Sequence, residues 1–461
     1  MVAPAIAPGV VIAATASGTG KTTIATGLMR ALARSRRVAP FKVGPDYIDP
    51  GYHGVAAGRP GRNLDSFLCR PDQIGPLYAH GAAGCDIAVV EGVMGLFDGR
   101  IGPDPLSLEG STAQIASLLG LPVVLVIDGR HMSQSAAAVV HGFATMHPQV
   151  QVAGAIINRV GSPRHADIIS RAVEAMGIPV LGAIPRATEV EVPSRHLGLY
   201  TAAEQGEHIE RVIESMADVV TSYIDIDAVL ELAQSPLDIS PYSPAAEVGI
   251  HIPNAGRVAL ASGPAFSFSY AEHRELLIAA GAEVVTFDPL WEELPEADGY
   301  IIPGGYPEEH AEALSRRDDI RQQLRAAVAE GALLHGECAG MLWLLEELEG
   351  HRMAGVIPGS ARMSRLTLGY REAVALSDSV LAPAGTRVRG HEFHKTALDT
   401  STVSQAAAAG WSAAWGWRSY TQESLQEGFV SATGRVHASY LHIHPAGAPE
   451  LIAHFVKSLS G

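Results

Sequence analysis

The sequence predicts an α/β protein of two doubly wound domains, the first carrying a nucleotide-binding P-loop. Three observations carry this reading. Short β-branched runs alternate with longer Ala/Leu-rich stretches, the pattern of parallel βαβ units. A glycine-rich loop, residues 14–23, falls between the first such run and the first helical stretch. The alternation then breaks at 225–256, where Pro236, Pro241, Pro244 and Pro253 sit among Ser, Asp and Asn, and resumes afterwards. Proline lacks an N–H and restricts the residue before it, so this break reads as a linker. The expected domains are 1–224 and 257–461, joined by 225–256.

In the first domain the strands expected are Gly9–Ala14, Val38–Val43, Asp86–Glu91, Pro122–Asp128, Val152–Asn158 and Val180–Ile184. Each is a short apolar run of the kind that parallel sheets bury on both faces. Helical stretches between them include Thr22–Arg34, Ser111–Leu119 and His165–Met176. After the break come a strand at Arg257–Ala261, a helix at Ala271–Ala280, strands at Glu283–Phe287 and Gly299–Ile302, a helix at Arg317–Glu330 and a strand at Ala332–His335. From about Leu366 the chain is richer in aromatic and polar residues and reads as strand-rich. No internal repeat or heptad run occurs.

Composition bounds the function. The 461 residues carry 33 Lys+Arg against 49 Asp+Glu, a net charge of −16, and 47% are hydrophobic. Such apolar content excludes a disordered chain. The acidic balance and the lack of a basic block argue against nucleic-acid binding. No apolar run approaches the ~20 residues of a membrane span. The apolar start lacks a basic n-region and reads as a strand rather than a signal peptide. The three cysteines, Cys69, Cys85 and Cys338, offer neither a disulfide framework nor zinc spacing, which fits a cytoplasmic protein.

Residues 14–23, ATASGTGKTT, follow a strand and open a helix. Glycines such as Gly18 and Gly20 let backbone N–H groups close around phosphate, and the helix N-terminus adds a favourable dipole. Lys21 can reach the β- and γ-phosphates of ATP, the Thr22 hydroxyl can sit on Mg²⁺, and Thr23 completes the motif. Thr15 stands where the motif's first glycine usually falls. Two acidic segments follow further strands: KVGPDYIDP with Lys42, Asp46 and Asp49, and EGVMGLFDG with Glu91 and Asp98. Ligands of open α/β sheets bind at the carboxyl ends of strands. Asp46 and Glu91 are therefore metal candidates, and Asp49 and Asp98 substrate-facing catalytic candidates, a turn-forming role being the alternative for each. Asn158, ending its strand, is a candidate for reading adenine or for capping.

In the second domain, Gly336-Glu337-Cys338-Ala339-Gly340 lies between a strand and a helix, the cysteine analogue of a nucleophile elbow. The helix N-terminus and the Ala339 N–H favour thiolate and oxyanion, and Gly304-Gly305 can add a second donor. The thiol needs a histidine base. His442 is the leading candidate, with His444 and the His391/His394 pair open alternatives.

Together these motifs resemble a known family. ASGTGKTT, FKVGPDYIDP, GRNLDSFL and VEGVMGLFDG look like a dethiobiotin-synthetase-type P-loop enzyme. IIPGGYPE, HGECAGM, GHEFHKT and ASYLHIH look like a class I glutamine amidotransferase. Their fusion in this order is similar to the cobyrinic and hydrogenobyrinic acid a,c-diamide synthases of cobalamin biosynthesis. The resemblance implies that ATP phosphorylates two acetate carboxylates of a corrinoid polycarboxylate and that ammonia from L-glutamine displaces each phosphate. It implies Cys338 as nucleophile, His442 as base, and ATP and Mg²⁺ at the P-loop; a homodimer is the candidate assembly. The general class I pattern has Glu two residues after the histidine, whereas here that position is His444, so a Cys–His dyad is expected. The same chemistry on a nickel tetrapyrrole or cobyric acid is the alternative. An ATP-switched positioning protein would have no use for Cys338 and His442. Lys42, Arg59, Arg62, Arg186 and Arg195 are candidates for holding the anionic substrate.

Overall fold

The computed structural model describes residues 6–102, 104–188, 194–195, 198–199, 206–236, 239–419 and 421–459. They form two compact units, Met1–Tyr242 and Ser243–Gly461.

The first unit is built on β1 (Gly9–Ala14), β2 (Val38–Val43), β3 (Arg62–Leu64), β4 (Ile87–Glu91), β5 (Val123–Asp128), β6 (Val152–Val160) and β7 (Val180–Pro185). Their order is β3-β2-β4-β1-β5-β6-β7, and every neighbouring pair is parallel. Strands β1, β2 and β4 are buried along their whole length, which is why they read as unbroken apolar runs rather than alternating ones. Strand β1 lies between β4 and β5, so the chain leaves it where the winding of the sheet reverses, and the loop after β1 opens into that crevice. The next helix, Lys21–Ala33, packs on the helix Gly206–Tyr223. Gly27 permits that approach, because a Cβ there would lie 2.5 Å from the Met216 carbonyl oxygen. Two short strands, β8 (Ser194–Arg195) and β9 (Gly198–Leu199), form a separate antiparallel pair.

The 225–256 segment is more structured than its prolines suggest. It holds helices Ile226–Leu232 and Pro244–Val248. Gln234 exchanges backbone hydrogen bonds with Gly9 at 2.8 and 3.1 Å, and Tyr242 rests on His80, so its first half belongs to the first unit. Ile252 N–H donates to Ala280 in the second unit. Proline at the first turn of Pro244–Val248 starts a helix there instead of breaking one.

The second unit opens with β10 (Arg257–Ala261), β11 (Glu283–Phe287), β12 (Gly299–Ile302) and β13 (Leu333–Glu337). A second sheet follows: β14 (Leu345–Leu348), β15 (His351–Arg352), β16 (Ile357–Ala375), β17 (Arg387–Leu398), β18 (Trp415–Arg418) and β19 (Ser424–Glu427). The chain then returns through β20 (Phe429–Val430) and β21 (Val436–Ser439). The first sheet has the order β11-β10-β12-β13-β21-β20, parallel except for β20. Its core gathers Phe266, Ile302, Leu324, Trp343 and Phe429. The strand-rich tail expected from Leu366 is the β16–β17 hairpin, which begins earlier, at Ile357.

Gly27→Ala should destabilise the protein by about 1–3 kcal/mol, the cost of overpacking a close backbone approach. A lowered first-unit transition in scanning calorimetry would show it, and an unchanged one would mean that the two helices separate freely.

Candidate functional site

Two sites arise, one in each unit. In the first, Gly18 (φ +74°) and Gly20 (φ +94°) occupy the left-handed region, which costs glycine little. A Cβ on Gly20 would also collide with the Asn158 amide. The loop is tied down from β6: Asn158 Nδ2 donates to the Thr19 carbonyl at 2.8 Å, and Arg159 Nη1 to that of Gly18 at 2.7 Å. Asn158 is thus tied to the phosphate loop through its amide nitrogen.

Lys21, Thr22 and the half-buried Thr23 open the helix. Thr22 Oγ1 donates to Glu91 Oε1 at 2.7 Å and reaches Asp49 Oδ2 at 3.4 Å. Lys42 Nζ lies between the same carboxylates, 2.5 Å from Asp49 and 3.0 Å from Glu91, and donates to the Gly92 carbonyl at 3.2 Å. Lys21 Nζ is 4.0 Å from Glu91. His53 Nε2 meets the other Glu91 oxygen at 2.7 Å. The sequence reading missed His53, although it stands four residues after Asp49 on one helix, a spacing that shares a face.

Burial opposes every charge here, and the partners overcome it for two of them. Asp49, Glu91 and Asp46 hold the Lys42 ammonium above the ordinary lysine range. Lys42 and His53 hold Glu91 well below the ordinary carboxylate range. Asp49 is pushed up to about 7 by burial and by Asp46, with Lys42 pulling the other way. Lys21 is lowered by burial and by the Lys42 charge.

The remaining acids sit further out. Asp46 Oδ1 accepts the N–H groups of Ile48 and Asp49 at 2.8 and 3.0 Å, which shapes the start of the helix Asp49–Ala57, while its other oxygen lies 4.0 Å from Lys42. Asp98 is exposed and accepts the Gly95 N–H at 2.8 Å. The hydroxyl of Thr22 with the carboxylates of Asp49 and Glu91 is a hard oxygen set that suits Mg²⁺, which takes one or two protein carboxylates and completes its shell with water and phosphate. Among the described residues no group of three or more His, Cys, Asp or Glu is placed to hold a metal ion by itself. Of the candidate anion-holding residues, Lys42 is buried in this cluster, Arg59 Nη1 contacts Cys85 Sγ and Arg186 is exposed. The side chain of Arg195 lies outside the described residues.

The second site is the turn after β13. Cys338 has φ +49°, ψ −100°, a strained conformation for a non-glycine residue. Its neighbours must be small. A Cβ on Gly340 would collide with the Ile302 carbonyl, and one on Gly336 would lie 2.7 Å from Leu344 Cδ1. Cys338 N–H donates to Ser439 O at 2.7 Å, which ties the elbow to β21. The thiol is raised well above its usual range by burial first and by Glu308 and Glu337, and the Ala339 N–H works against this. It is therefore neutral at rest.

His442 is 0% exposed. It exchanges backbone hydrogen bonds with His391 at 2.8 and 2.9 Å, and their rings stack at 5.0 Å. A Cβ on Gly304 would lie 2.5 Å from His442 Cε1, so the glycine makes room for the imidazole. His442 Nδ1 lies 2.8 Å from Glu337 Oε1. Burial works to raise the Glu337 pKa, but His442, by charge and by hydrogen bond, holds it lower than usual. Of the alternatives, His391 lies against His442 itself, and the other two have partners of their own. His444 accepts the Ala446 N–H and packs on Tyr270, and His394 Nδ1 meets the Thr396 carbonyl. Glu337 escaped the sequence reading, because only the pairing of β13 with β21 brings it to His442.

Residues 10–199 match the model of the CobQ/CobB/MinD/ParA nucleotide binding domain, and 257–449 that of the CobB/CobQ-like glutamine amidotransferase domain. Hydrogenobyrinate a,c-diamide synthase of Mycobacterium bovis is 52% identical over 97% of both chains. That of Streptomyces coelicolor is 50% identical over 98% of this chain and 97% of its own. Cobyrinate a,c-diamide synthase of Dehalococcoides mccartyi is 38% identical over 98% of each. The chain belongs to the a,c-diamide synthase family. In this chain a nucleotide-binding domain precedes a glutamine amidotransferase domain, the fusion that the motifs implied. No helix among the described residues is long and apolar enough to cross a membrane.

This a,c-diamide synthase carries one more acid beside its cysteine site. Glu427 accepts the Tyr440 N–H at 2.7 Å and is pushed up to about 8 by burial. A carboxyl whose pKa rises on folding keeps its proton while the unfolded chain loses it, so it costs stability as pH climbs from about 4.5 to 8. Glu427→Gln should therefore add about 1–3 kcal/mol at pH 8 and close to nothing at pH 4.5. Melting curves across that range would check it, and a gain independent of pH would contradict it.

Proposed function

We propose that this chain uses ATP and glutamine to convert the a and c acetate carboxylates of hydrogenobyrinate into amides, in the cytoplasm. The observation that carries it is the presence, on one chain, of a Lys21–Thr22–Lys42–Asp49–Glu91 cluster at a phosphate loop and of a strained Cys338 elbow whose preceding residue, Glu337, hydrogen-bonds the buried His442. Three free cysteines support the compartment. Cobyrinate, the cobalt-containing counterpart, is the second reading. It is favoured less because the relatives at 50% identity and above are named for hydrogenobyrinate.

A carboxylate is a poor acyl donor because its leaving group is oxide. In the first unit a substrate carboxylate oxygen attacks the γ-phosphorus in line, ADP leaves, and an acyl phosphate forms. Lys21 and the loop N–H groups hold the phosphates, and Lys42 keeps the carboxylates of Asp49 and Glu91 in place. Thr22, Asp49 and Glu91 would hold Mg²⁺, which when bound offsets phosphate charge. In the second unit the Cys338 sulfur attacks the glutamine carboxamide. His442 takes the thiol proton and passes it to the departing ammonia, and the Ala339 N–H meets the oxyanion. Water then releases glutamate from the thioester. Ammonia displaces phosphate from the acyl phosphate and gives the amide.

Incubation of hydrogenobyrinate or cobyrinate with ATP, Mg²⁺ and glutamine, followed by mass spectrometry, tests the reading. A diamide is expected, formed faster from hydrogenobyrinate, and no amide from either would overturn it. Cys338→Ala should lower glutamine-driven synthesis by at least ~10³-fold while synthesis from high ammonium continues. Lys21→Ala should lower both by ~10²-fold or more, because activation of the carboxylate precedes both. Ammonium-driven turnover unchanged in Lys21→Ala would remove the phosphate-loop role.

The two outer acids separate by contact. Asp49→Asn leaves Lys42 and Thr22 without their shared carboxylate and should reduce turnover by ~10²-fold with either nitrogen source. Asn at position 98 can still accept the Gly95 N–H, so Asp98→Asn should cost less than about tenfold. Steady-state kinetics would decide, and a reversed ranking would move the substrate contact to Asp98.

A further inference from the structure

Among class I amidotransferases as a group, the carboxylate that holds the catalytic histidine follows it by two residues. In this chain that position is His444, whose Nδ1 accepts the Ala446 N–H at 3.2 Å and whose ring packs on Tyr270 at 4.1 Å. The carboxylate against His442 comes instead from the residue before the nucleophile. We infer that Glu337 is the positioning residue for His442, fixing its tautomer and ring orientation from the β13 side of the site. This rests on the reading of Cys338 and His442 as nucleophile and base.

The geometry supports it in four ways. Glu337 Oε1 lies 2.8 Å from His442 Nδ1, and the second oxygen, Oε2, is 3.4 Å from the backbone N of Ile443, so the carboxylate spans the histidine and its successor. An ionised carboxylate only accepts, so Nδ1 must carry the proton and Nε2 of the neutral ring is left with its lone pair, the form a base requires. The pair is buried, and in such surroundings an uncompensated partner is expensive, which holds the ring in one orientation. Finally, the ring has little freedom elsewhere. Gly304 faces its Cε1, His391 stacks on it, and Phe268 lies beside it at 6.4 Å between centroids.

Strand pairing explains how adjacent residues come to serve one histidine. Register places Glu337 opposite Ser439, three residues before His442, and Ser439 O also receives the Cys338 N–H. The positive φ at Cys338 ends the strand's in–out alternation, so the residue before the nucleophile need not face away from the site. A carboxylate at position 337 thus does for the base what one at position 444 would otherwise do. During proton transfer it also stabilises the imidazolium that forms, without taking the proton itself.

The test uses the full chain and follows glutamine hydrolysis. Glu337→Gln offers an amide, whose NH₂ group favours the wrong tautomer, and should lower kcat by ~10²- to 10⁴-fold while KM for glutamine stays within about threefold. Glu337→Asp keeps the charge on a shorter stem and should recover at least about tenfold of that loss. Calorimetry of glutamine binding to Cys338→Ala and to Cys338→Ala/Glu337→Gln reports whether the site remains folded, and the two Kd values should agree within about threefold. Turnover of Glu337→Gln close to wild type would overturn the inference. So would a loss of glutamine binding in the double variant, which would make Glu337 a structural or substrate contact. The Cys338→Ala enzyme separates the two levels: if it still hydrolyses glutamine, the nucleophile reading itself fails, and if it is inactive while Glu337→Gln is active, only the role of Glu337 fails.

Discussion

The Lys42 ammonium sits between the carboxylates of Asp49 and Glu91, and all three residues are buried. Desolvating three charges is costly, and the arrangement persists because each finds a partner within hydrogen-bond reach. The rest of the first unit is organised around keeping them there. Lys42 comes from β2, Glu91 ends β4, Asp49 opens a helix and Thr22 opens another. Parallel pairing of β2 with β4 sets Lys42 opposite Glu91, so the register of the sheet is also the register of the charges. With Lys21 and Asp46 included, two amines face three carboxyl groups beside a loop of backbone N–H groups, a setting for a divalent cation bound together with a phosphate chain.

The second unit treats charge differently. Its cysteine is neutral at rest, raised by burial and by nearby carboxylates, one of which, Glu337, also hydrogen-bonds His442. The two units thus solve opposite problems. One must hold charge permanently against a polyanionic nucleotide, and the other must create it briefly for a neutral amide.

Much of this was legible before any coordinates. Fully buried parallel strands leave continuous apolar runs, so β1 and β2 match their expected bounds, and the P-loop and elbow announce themselves by glycines at fixed offsets. What stayed hidden depends on direction rather than presence. Asp46 and Asp49 are three residues apart and chemically alike, but the helix beginning at Asp49 draws Asp46 to its own N–H groups and leaves Asp49 to face Lys42. The strand expected to end at Asn158 runs on to Val160, and only the fold shows the Asn158 amide turned to Thr19. Glu337 and His442 are separated by 105 residues, and no local pattern encodes their hydrogen bond. The 225–256 segment misled because prolines mark turns and helix starts as readily as linkers.

The neutral state of Cys338 has a consequence for the protein's life between turnovers. Peroxide attacks thiolates, and the susceptibility of a cysteine follows its thiolate character and its exposure. Cys338 offers little of either, being 3% exposed and protonated. A nucleophile kept permanently ionised would be open to sulfenic acid formation whenever substrate was scarce. In the proposed mechanism the reactive form exists only while His442 accepts its proton, so the burial of Cys338 also shields the sulfur from oxidative loss.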